Sequence, residues 1–324
     1  MGGADRAGKV HQEVWEYAPP PPEGEDGGED GATGWRLHEA LGAGLGGRSG
    51  HAVVCVLGQD VDGADGCENC LLVFGGQDAR SSVLFDGLLC LALPPPGGTP
   101  SWLPLAATGT TPAKRNGHTL AYDPAGSCAY LFGGADDEGH RNDLHRLDLS
   151  DAVSWAALES SGPPPKPREM HATAVIVGGA AADGASSSRS LLVHGGRSGD
   201  EILSDLCLLD LLTLTWATPV VSPCQRVGHA ALALARGPDA PSGAAQMLIF
   251  GGFNGAAFNN EVWSISLRAP PAVVERVPAS AAPEKRFAHG FAALGSTLYV
   301  FGGSARENEL ADLACADAAA VLDV

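Results

Sequence analysis

The side chains best suited to binding chemistry in this sequence are five arginines, each followed three residues later by a histidine. The motif R-x-x-H begins at Arg48, Arg115, Arg168, Arg226 and Arg286. A guanidinium group is always charged and binds carboxylate or phosphate through two parallel hydrogen bonds. The five arginines are therefore predicted to be partner-binding residues. The alternative is that each arginine pairs with an acid of its repeat, such as Asp143, Asp205 or Glu261.

Two other groups could do chemistry, but their patterns are weaker. The segment "ADDEGHRNDLH" at 135 to 145 brings acids and histidines together, a composition that can bind a metal ion. Cys67 and Cys70 form a lone C-x-x-C without the second pair of a zinc site. Neither is predicted to be a metal site, and no nucleophile elbow, phosphate loop or metalloprotease motif occurs. We therefore expect no cofactor, no catalytic residues and no enzymatic activity.

Each R-x-x-H motif is one part of a longer repeat. An apolar run ending in two glycines follows it, as in "LYVFGG" at 298 to 303, and the second glycines are Gly76, Gly134, Gly196, Gly252 and Gly303. Beyond them come an acidic residue followed by an apolar one and, in three repeats, a tryptophan after Ser or Thr. Their spacing runs from 51 residues (Gly252 to Gly303) to 62 (Gly134 to Gly196). Periods of this size indicate a repeat architecture.

The repeated segments predict four short strands in each repeat. They are four to eight residues long and rich in β-branched and aromatic residues, so each is read as a strand. The run "LYVF" is apolar on both faces and must be covered on both, which stacking of sheet on sheet achieves. Stacking around an axis gives a β-propeller. The glycines would let the backbone leave the buried strand with positive φ.

In these features the sequence resembles the kelch-repeat proteins, whose repeat has a double glycine after an apolar strand and a downstream aspartate-leucine and tryptophan. The resemblance covers residues 36 to 315 in five copies, with Trp35 and Gly2-Gly3 falling in a sixth, partial copy. It implies an all-β, kelch-type β-propeller in a single domain over residues 1–324. We expect six sectors, incompletely filled, and the alternative is that the sequence is a fragment of a longer chain. Residues 1–38 would form a partial blade, and the repeats would begin near 45, 112, 165, 223 and 283.

The resemblance also implies where the polar residues lie. The five arginines would form a ring at the mouth of a central channel and bind an acidic peptide segment. The repeat histidines, one per blade, would be structural: His51, His118, His171, His229 and His289. Segments rich in Pro, Gly and acidic residues are predicted to be flexible surface loops, at 18–34, 58–70, 177–189 and 236–245.

Composition narrows the class of partner. The formal net charge of −18 disfavours nucleic acid and anionic membrane, which are held by basic surfaces. The scattered cysteines and the absence of a secretory signal at the start favour a reduced, cytoplasmic protein. We expect a protein- or peptide-binding adaptor that acts through its arginine-lined rim, with membership of a ubiquitin-ligase or other multi-protein complex as a further expectation. The alternative is a kelch-fold metal-dependent enzyme or specifier-type protein.

Overall fold

A computed structural model describes residues 1–5, 9, 11–19, 34–38, 41, 44–78, 80–95, 98–150, 152–177, 189–234, 246–266, 272–278, 282–305 and 308–318. Within these ranges the regular secondary structure is almost entirely β-strand, with two short 3-10 helices at Gly58–Asp60 and Pro124–Gly126. It divides into two compact units, Met1–Ala106 with Lys114–Asn116, and Ala107–Ala113 with Gly117–Val324. The all-β, β-propeller class predicted from the sequence is confirmed, because the strands form repeated antiparallel sheets that are propeller blades.

The first unit contains one complete blade and one two-stranded sheet. Blade 1 has the order β3-β4-β5-β6, with β3 at Ala52–Leu57, β4 at Asn69–Phe74, β5 at Leu88–Leu93 and β6 at Ser101–Leu103. The two-stranded sheet pairs β1 (Trp15–Ala18) with β2 (Gly34–Leu37), so that Tyr17 lies opposite Trp35. The core of this unit combines Val14, Leu41 and Leu45 with Val73 and Leu91 of blade 1.

The second unit begins with two blades. Blade 2 has the order β8-β9-β10-β11, extended by β7 beside β11: β7 (Thr108–Gly109), β8 (Thr119–Asp123), β9 (Cys128–Asp136), β10 (Gly139–Asp148) and β11 (Ser154–Ala157). Blade 3 has the order β12-β13-β16-β17: β12 (Ala172–Val177), β13 (Arg189–His194), β16 (Asp205–Asp210) and β17 (Thr215–Trp216). A small hairpin, β14 (Arg197–Ser198) with β15 (Glu201–Ile202), connects β13 to β16, and β18 (Val220–Val221) pairs with β16.

Two further blades complete the second unit. Blade 4 has the order β19-β20-β21-β22: β19 (Ala230–Leu234), β20 (Gln246–Phe250), β21 (Val262–Ser266) and β22 (Val273–Val277). Blade 5 has three described strands in the order β23-β24-β25: β23 (Gly290–Leu294), β24 (Thr297–Phe301) and β25 (Leu313–Asp317). In this unit the first strands of successive blades, β8, β12, β19 and β23, lie side by side.

The second strand of each blade has an apolar centre, and in blades 3 and 4 the neighbouring blades cover both of its faces. All five residues of β20 are buried. One core joins Phe132 of blade 2 to Leu191 and Trp216 of blade 3, and another joins Leu192 of blade 3 to Ile249 of blade 4. Burying such side chains is the main favourable contribution to folding. The hydrophobic core therefore lies between the blades.

The double glycine is required because two other segments approach it closely. Gly195 and Gly196 have φ of +60° and +91°, values that L side chains rarely adopt. A Cβ on Gly195 would lie 2.6 Å from the carbonyl oxygen of Arg226 in the next repeat. A Cβ on Gly196 would lie 2.7 Å from the carbonyl oxygen of Glu169 in its own repeat. Only glycine can satisfy both the conformation and the close approach.

The second glycine of a pair also ties one repeat to the next. Its N–H donates to the carbonyl of the following repeat arginine at 2.8 Å, in the pairs Gly3–Arg48, Gly76–Arg115, Gly134–Arg168, Gly196–Arg226 and Gly252–Arg286. Gly3 therefore occupies the double-glycine position of a partial N-terminal repeat, as the resemblance implied. In the second unit a further series of backbone bonds runs from Met170 to Gly117, from Gly228 to Met170 and from Ala288 to Gly228.

One of the predicted flexible loops is ordered. Residues 58–68 include a 3-10 turn and successive backbone hydrogen bonds, and Val61 and Ala64 are 3% exposed. The prediction of a flexible loop at 58–70 is wrong because these two side chains are packed inside the turn. The predicted loops at 18–34, 177–189 and 236–245 fall almost entirely outside the described residues. Among the residues described, no helix combines the length and apolar character that a membrane crossing requires.

Candidate functional site

The five repeat arginines are buried, and the side chains of Arg48, Arg168, Arg226 and Arg286 form hydrogen bonds within their own repeats. Arg168 donates to both carboxylate oxygens of Asp205, at 2.8 and 2.7 Å, and to the carbonyl of Gly195 at 2.9 Å. Arg286 makes the same contacts with Asp312 and with the Gly302 carbonyl. Each guanidinium group thus joins the start of its blade to the first glycine and to the acidic residue of the third strand.

The remaining three arginines vary this arrangement. Arg226 pairs with Glu261. Arg48 donates to the carbonyls of Leu45 and Gly75 and lies 4.6 Å from the centre of the Phe85 ring. Arg115 is 1% exposed. For Arg168 and Arg226 the structure therefore shows the pairing within the repeat that the sequence left open.

The ion pairs control the protonation of the acids. Burial would raise the pKa of Asp205, yet the hydrogen bonds and positive charge of Arg168, together with hydrogen bonds from Cys207 and the backbone, outweigh this effect and hold that pKa below its usual range. The hydrogen bond from Arg286 likewise lowers the pKa of Asp312. Asp205 and Asp312 are therefore carboxylates at neutral pH, and the buried guanidinium groups of Arg168 and Arg286 that bind them have few N–H donors left for a ligand.

In the second unit, the turns that contain these arginines form part of the candidate binding surface. We define the loop face as the R-x-x-H turns together with the loops that follow the double glycines, which lie at the same end of each blade. Glu169 and Arg197 pair through their backbones in blade 3, and Val227 and Phe253 do so in blade 4. Because of these bridges, the residue after the repeat arginine and the residue after the double glycine lie side by side on one surface.

One part of the loop face is an ionic patch, formed by Asp136, Glu138, His140, Arg141, Glu169 and Arg197. Arg141 donates to Asp136 at 2.6 Å and to Glu138 at 2.5 Å. Arg197 donates to Glu169 at 2.7 Å. Half of the Arg197 side chain and a third of that of Arg141 are exposed to solvent.

His140 connects the two halves of the ionic patch. Its Nδ1 accepts a hydrogen bond from the backbone N–H of Gly199 at 3.0 Å, so the neutral ring carries its proton on Nε2. That Nε2 lies 3.3 Å from the carboxylate of Glu169. The segment at 135 to 145 is therefore organised by ion pairs and hydrogen bonds. In the part of the chain that the structure describes, no three His, Cys, Asp or Glu side chains come together as metal ligands.

A second part of the loop face is an aromatic patch, formed by Phe253, Phe258 and Phe287. The ring centres of Phe253 and Phe258 are 5.5 Å apart, and those of Phe258 and Phe287 are 5.9 Å apart. All three side chains are half-buried. Phe287 lies against Gly228, where a Cβ would come within 2.2 Å of its ring.

The sequence interpretation missed the aromatic patch because its members occupy three different positions of the repeat. Phe287 directly follows the repeat arginine, Phe253 directly follows the double glycine, and Phe258 lies further along the same loop. One signal could have found it: the residue after the arginine is Ser49, Asn116, Glu169 or Val227 in the other repeats, and aromatic only in the last.

The repeat histidines are buried or half-buried against the double glycines. A Cβ on Gly133, Gly195 or Gly251 would lie within about 3.1 Å of the histidine ring of the next repeat. Burial lowers the pKa of His51 to about 4 and that of His289 to about 3. Blade 3 adds His194, where other repeats have phenylalanine; its Nδ1 lies 3.2 Å from Nε2 of His229, and burial lowers its pKa to about 4. The rings of His51, His194 and His289 are therefore neutral at physiological pH.

The chain was compared with known proteins. A family model described as the KLHDC2/KLHL20/DRC7 Kelch-repeats domain matches residues 31–236 and 180–321. Acyl-CoA-binding domain-containing protein 5 of Arabidopsis thaliana is 32% identical over 197 residues, 56% of this chain and 27% of that protein. Rab9 effector protein with kelch motifs of Bos taurus is 31% identical over 172 residues, 50% of this chain and 41% of that protein.

A longer alignment at lower identity covers more of the chain. The Leucine-zipper-like transcriptional regulator 1 homolog of Drosophila melanogaster is 27% identical over 263 residues, 77% of this chain and 24% of that protein. The matches thus span about a quarter to two fifths of the length of these relatives. Because the family model covers most of the five repeats, the chain belongs to the kelch-repeat family.

Proposed function

We propose that the chain is a protein-interaction module that binds its partner through the loop face. The observation that carries the proposal is the aromatic patch beside exposed charged groups. Aromatic residues and arginine are enriched where proteins bind each other, and the largest contributions come from a few partly enclosed aromatic anchors. The relatives include a Rab9 effector with kelch motifs, which supports an interaction role in this family.

The repeat arginines serve this function indirectly. Their guanidinium groups fix the turns from which Glu169, Val227 and Phe287 project, so we propose them as positioning residues. For the acidic peptide partner predicted from the sequence, the accessible guanidinium groups are instead those of Arg197 and Arg141. A carboxylate of the partner would replace Glu169 or Glu138 as their acceptor. An adaptor role in a larger complex and a cytoplasmic location stay predictions.

A metal-dependent activity is not proposed as a second function. In the segment at 135 to 145 that suggested it, Asp136 and Glu138 accept hydrogen bonds from Arg141. His140 accepts a hydrogen bond from Gly199 and lies beside Glu169. No observation favours a catalytic assembly in the described residues. The interaction proposal, by contrast, makes a direct prediction about which surface a ligand touches.

The test is selection of peptides from an unbiased displayed library on the wild-type 1–324 chain, followed by affinity measurements on variants. Phe253→Ser and Phe258→Ser are expected to weaken the selected peptides by at least about tenfold. The matched control is Leu212→Ser, because Leu212 is 51% exposed at the other end of the blade 3 strands. Equal affinity for wild type and the phenylalanine variants, or a larger loss in the control, would overturn the proposal.

The same peptides test the charge of the partner. Acidic sequences should dominate the selection if Arg197 and Arg141 are contacts, and Arg197→Gln should then weaken them while circular dichroism stays unchanged. Selected peptides without acidic residues would remove the acidic segment from the proposal and leave the aromatic patch as the binding determinant.

A further inference from the structure

The residue before the histidine of each R-x-x-H motif has a left-handed backbone conformation. We call this residue the turn centre, and its five members are Gly50, Gly117, Met170, Gly228 and Ala288. Their φ angles lie between +53° (Met170 and Ala288) and +65° (Gly50). Glycine adopts such angles without strain, whereas a residue with a Cβ atom is destabilised by them. Met170 is therefore a long side chain at a position where the backbone favours glycine.

Backbone hydrogen bonds to the neighbouring repeats hold Met170 in this conformation. Its N–H donates to the carbonyl oxygen of Gly117 at 2.8 Å, and its carbonyl oxygen accepts from the N–H of Gly228 at 2.9 Å. The N–H of Ala288 donates to the Gly228 carbonyl in the same way, at 2.8 Å. The turn centres of blades 2 to 5 are thus bonded in a row. These bonds use only the backbone, so they do not account for the length of the Met170 side chain.

Met170 lies between the two patches of the loop face. On one side of it is Gly117, where a Cβ would lie 3.0 Å from Oε2 of Glu169 in the ionic patch. On the other side is Gly228, where a Cβ would lie 2.2 Å from the ring of Phe287 in the aromatic patch. Both patches therefore adjoin the same row of turn centres, and Met170 is bonded to the members on which they rest.

The side chain of Met170 is suited to contact with another protein. It is half-buried, whereas Met247 is fully buried in the core that joins blades 3 and 4. A thioether side chain is flexible and adapts to irregular apolar surfaces, and methionine is enriched where proteins bind each other. Residues other than glycine that are held at positive φ occur mainly at functional sites. A binding role would explain why this turn centre has a large side chain despite the strain.

We propose that Met170 contacts the partner and joins the ionic patch and the aromatic patch into one binding site. A single segment of the partner covers both patches and places an apolar side chain on Met170. This inference rests on the proposed function, because it concerns the same loop face. It adds that the centre of the site is the turn of blade 3 and that the two patches do not bind separate ligands.

Methyl NMR tests the contact directly. The sequence contains three methionines, Met1, Met170 and Met247, so labelling the methionine methyl groups of the 1–324 chain with carbon-13 gives a simple spectrum. The signal that disappears in Met170→Ala is that of Met170. A peptide selected from the displayed library on the wild-type chain should shift this signal and leave that of Met247 unchanged.

Substitutions separate a binding role from a structural one. Met170→Ala removes the long side chain but keeps the strained backbone, since Ala288 adopts the same φ of +53°. It should weaken the selected peptide at least about fivefold and leave the melting temperature unchanged. Met170→Leu should keep the affinity within about threefold of wild type, because it restores an apolar side chain of similar volume. Ala288→Gly, the matched control at another turn centre, should leave the affinity unchanged.

The outcomes distinguish this inference from the proposed function. If Phe253→Ser and Phe258→Ser weaken the peptide but Met170→Ala does not, the loop face binds its partner without Met170, and this inference alone fails. It also fails if the Met170 signal does not shift, or if Met170→Ala lowers the melting temperature without affecting affinity.

A peptide that is weakened by only one of Phe253→Ser and Arg197→Gln would show that the two patches bind separately, which would overturn the joined site. If none of these variants changes the affinity, the proposed function and this inference both fail.

Discussion

At the scale of single residues, the repeat arginines are buried cations, and their contribution to stability depends on the groups that they bind. Arg168 is fully buried and holds Asp205 through two hydrogen bonds. Removing one member of a buried pair leaves an uncompensated charge and costs about 3–5 kcal/mol. An exposed pair such as Lys166 with Glu201 contributes much less, about 0–1 kcal/mol.

Arg168→Met should therefore lower the free energy of unfolding by about 3 kcal/mol or more, as measured by urea denaturation. Lys166→Met, the matched control in the same repeat, removes the exposed pair with Glu201 and should lower it by less than about 1 kcal/mol. Replacing Asp205 as well, with leucine, should recover part of the loss because no charge is then left unpaired. Equal effects of the two single variants would contradict the structural role assigned to Arg168.

His194 gives stability a pH dependence. Its pKa is about 4 in the folded chain and near 6.5 in an ordinary environment. Between these values the unfolded state binds more protons, so the free energy of unfolding falls as pH falls. One such histidine contributes a slope of about 1.4 kcal/mol per pH unit.

His194→Phe should remove this part of the slope. Phenylalanine suits the site, because Phe132 and Phe250 meet their neighbouring histidines edge-on, as His194 meets His229. Urea unfolding at several pH values should show the variant gaining stability over wild type as pH falls from 6.5 towards 4.5. Parallel pH profiles for the two proteins would show that His194 is already protonated in the folded state or does not titrate.

At the scale of elements, the double-glycine turn links two repeats. The need for its second glycine can be tested by comparing an alanine substitution there with one at a nearby glycine. Gly196 and Gly199 both have positive φ, but a Cβ on Gly199 would meet nothing within 4 Å. Alanine at either position costs about 1–2 kcal/mol for its backbone conformation. Gly196→Ala adds a clash with the backbone of Glu169 and should cost about 1–3 kcal/mol more in urea denaturation. Indistinguishable losses would mean that conformation alone requires the glycine.

The elements were largely predictable from the sequence because their signals repeat. The apolar run before Gly303 and the motif at Arg286 recur in five copies, so β24 and its position relative to the arginine follow from periodicity. What lies on the loops does not repeat. Phe258 and His140 both lie six residues after the second glycine of their repeats, but this position is Ile202 and Glu309 in two other repeats. Its residue type therefore does not repeat, and the contacts made there depend on how neighbouring loops meet. The loop at 58–70 was misjudged for the same reason, since burial of Val61 has no periodic signal.

At the scale of the whole molecule, the predicted fold class and family are confirmed, and the partner is proposed. The two readings of the arginines could not be separated by sequence, because a guanidinium group binds an internal and an external carboxylate equally well. Burial decides between them, and burial of Arg168 follows only from the packing of complete blades. The net charge of −18 belongs to the molecule as a whole, and the exclusion of nucleic acid that it suggested stays a prediction.

The central claim is that the loop face, rather than the arginine side chains themselves, contacts the partner. Hydrogen exchange of the 1–324 chain with and without a library-selected peptide tests it most directly. We expect the peptide to slow exchange in the loops at 197–203 and 253–259. Exchange should stay unchanged at 211–214, the turn at the other end of blade 3. If exchange slows only in that turn, or in neither loop, the loop face is not the contact surface.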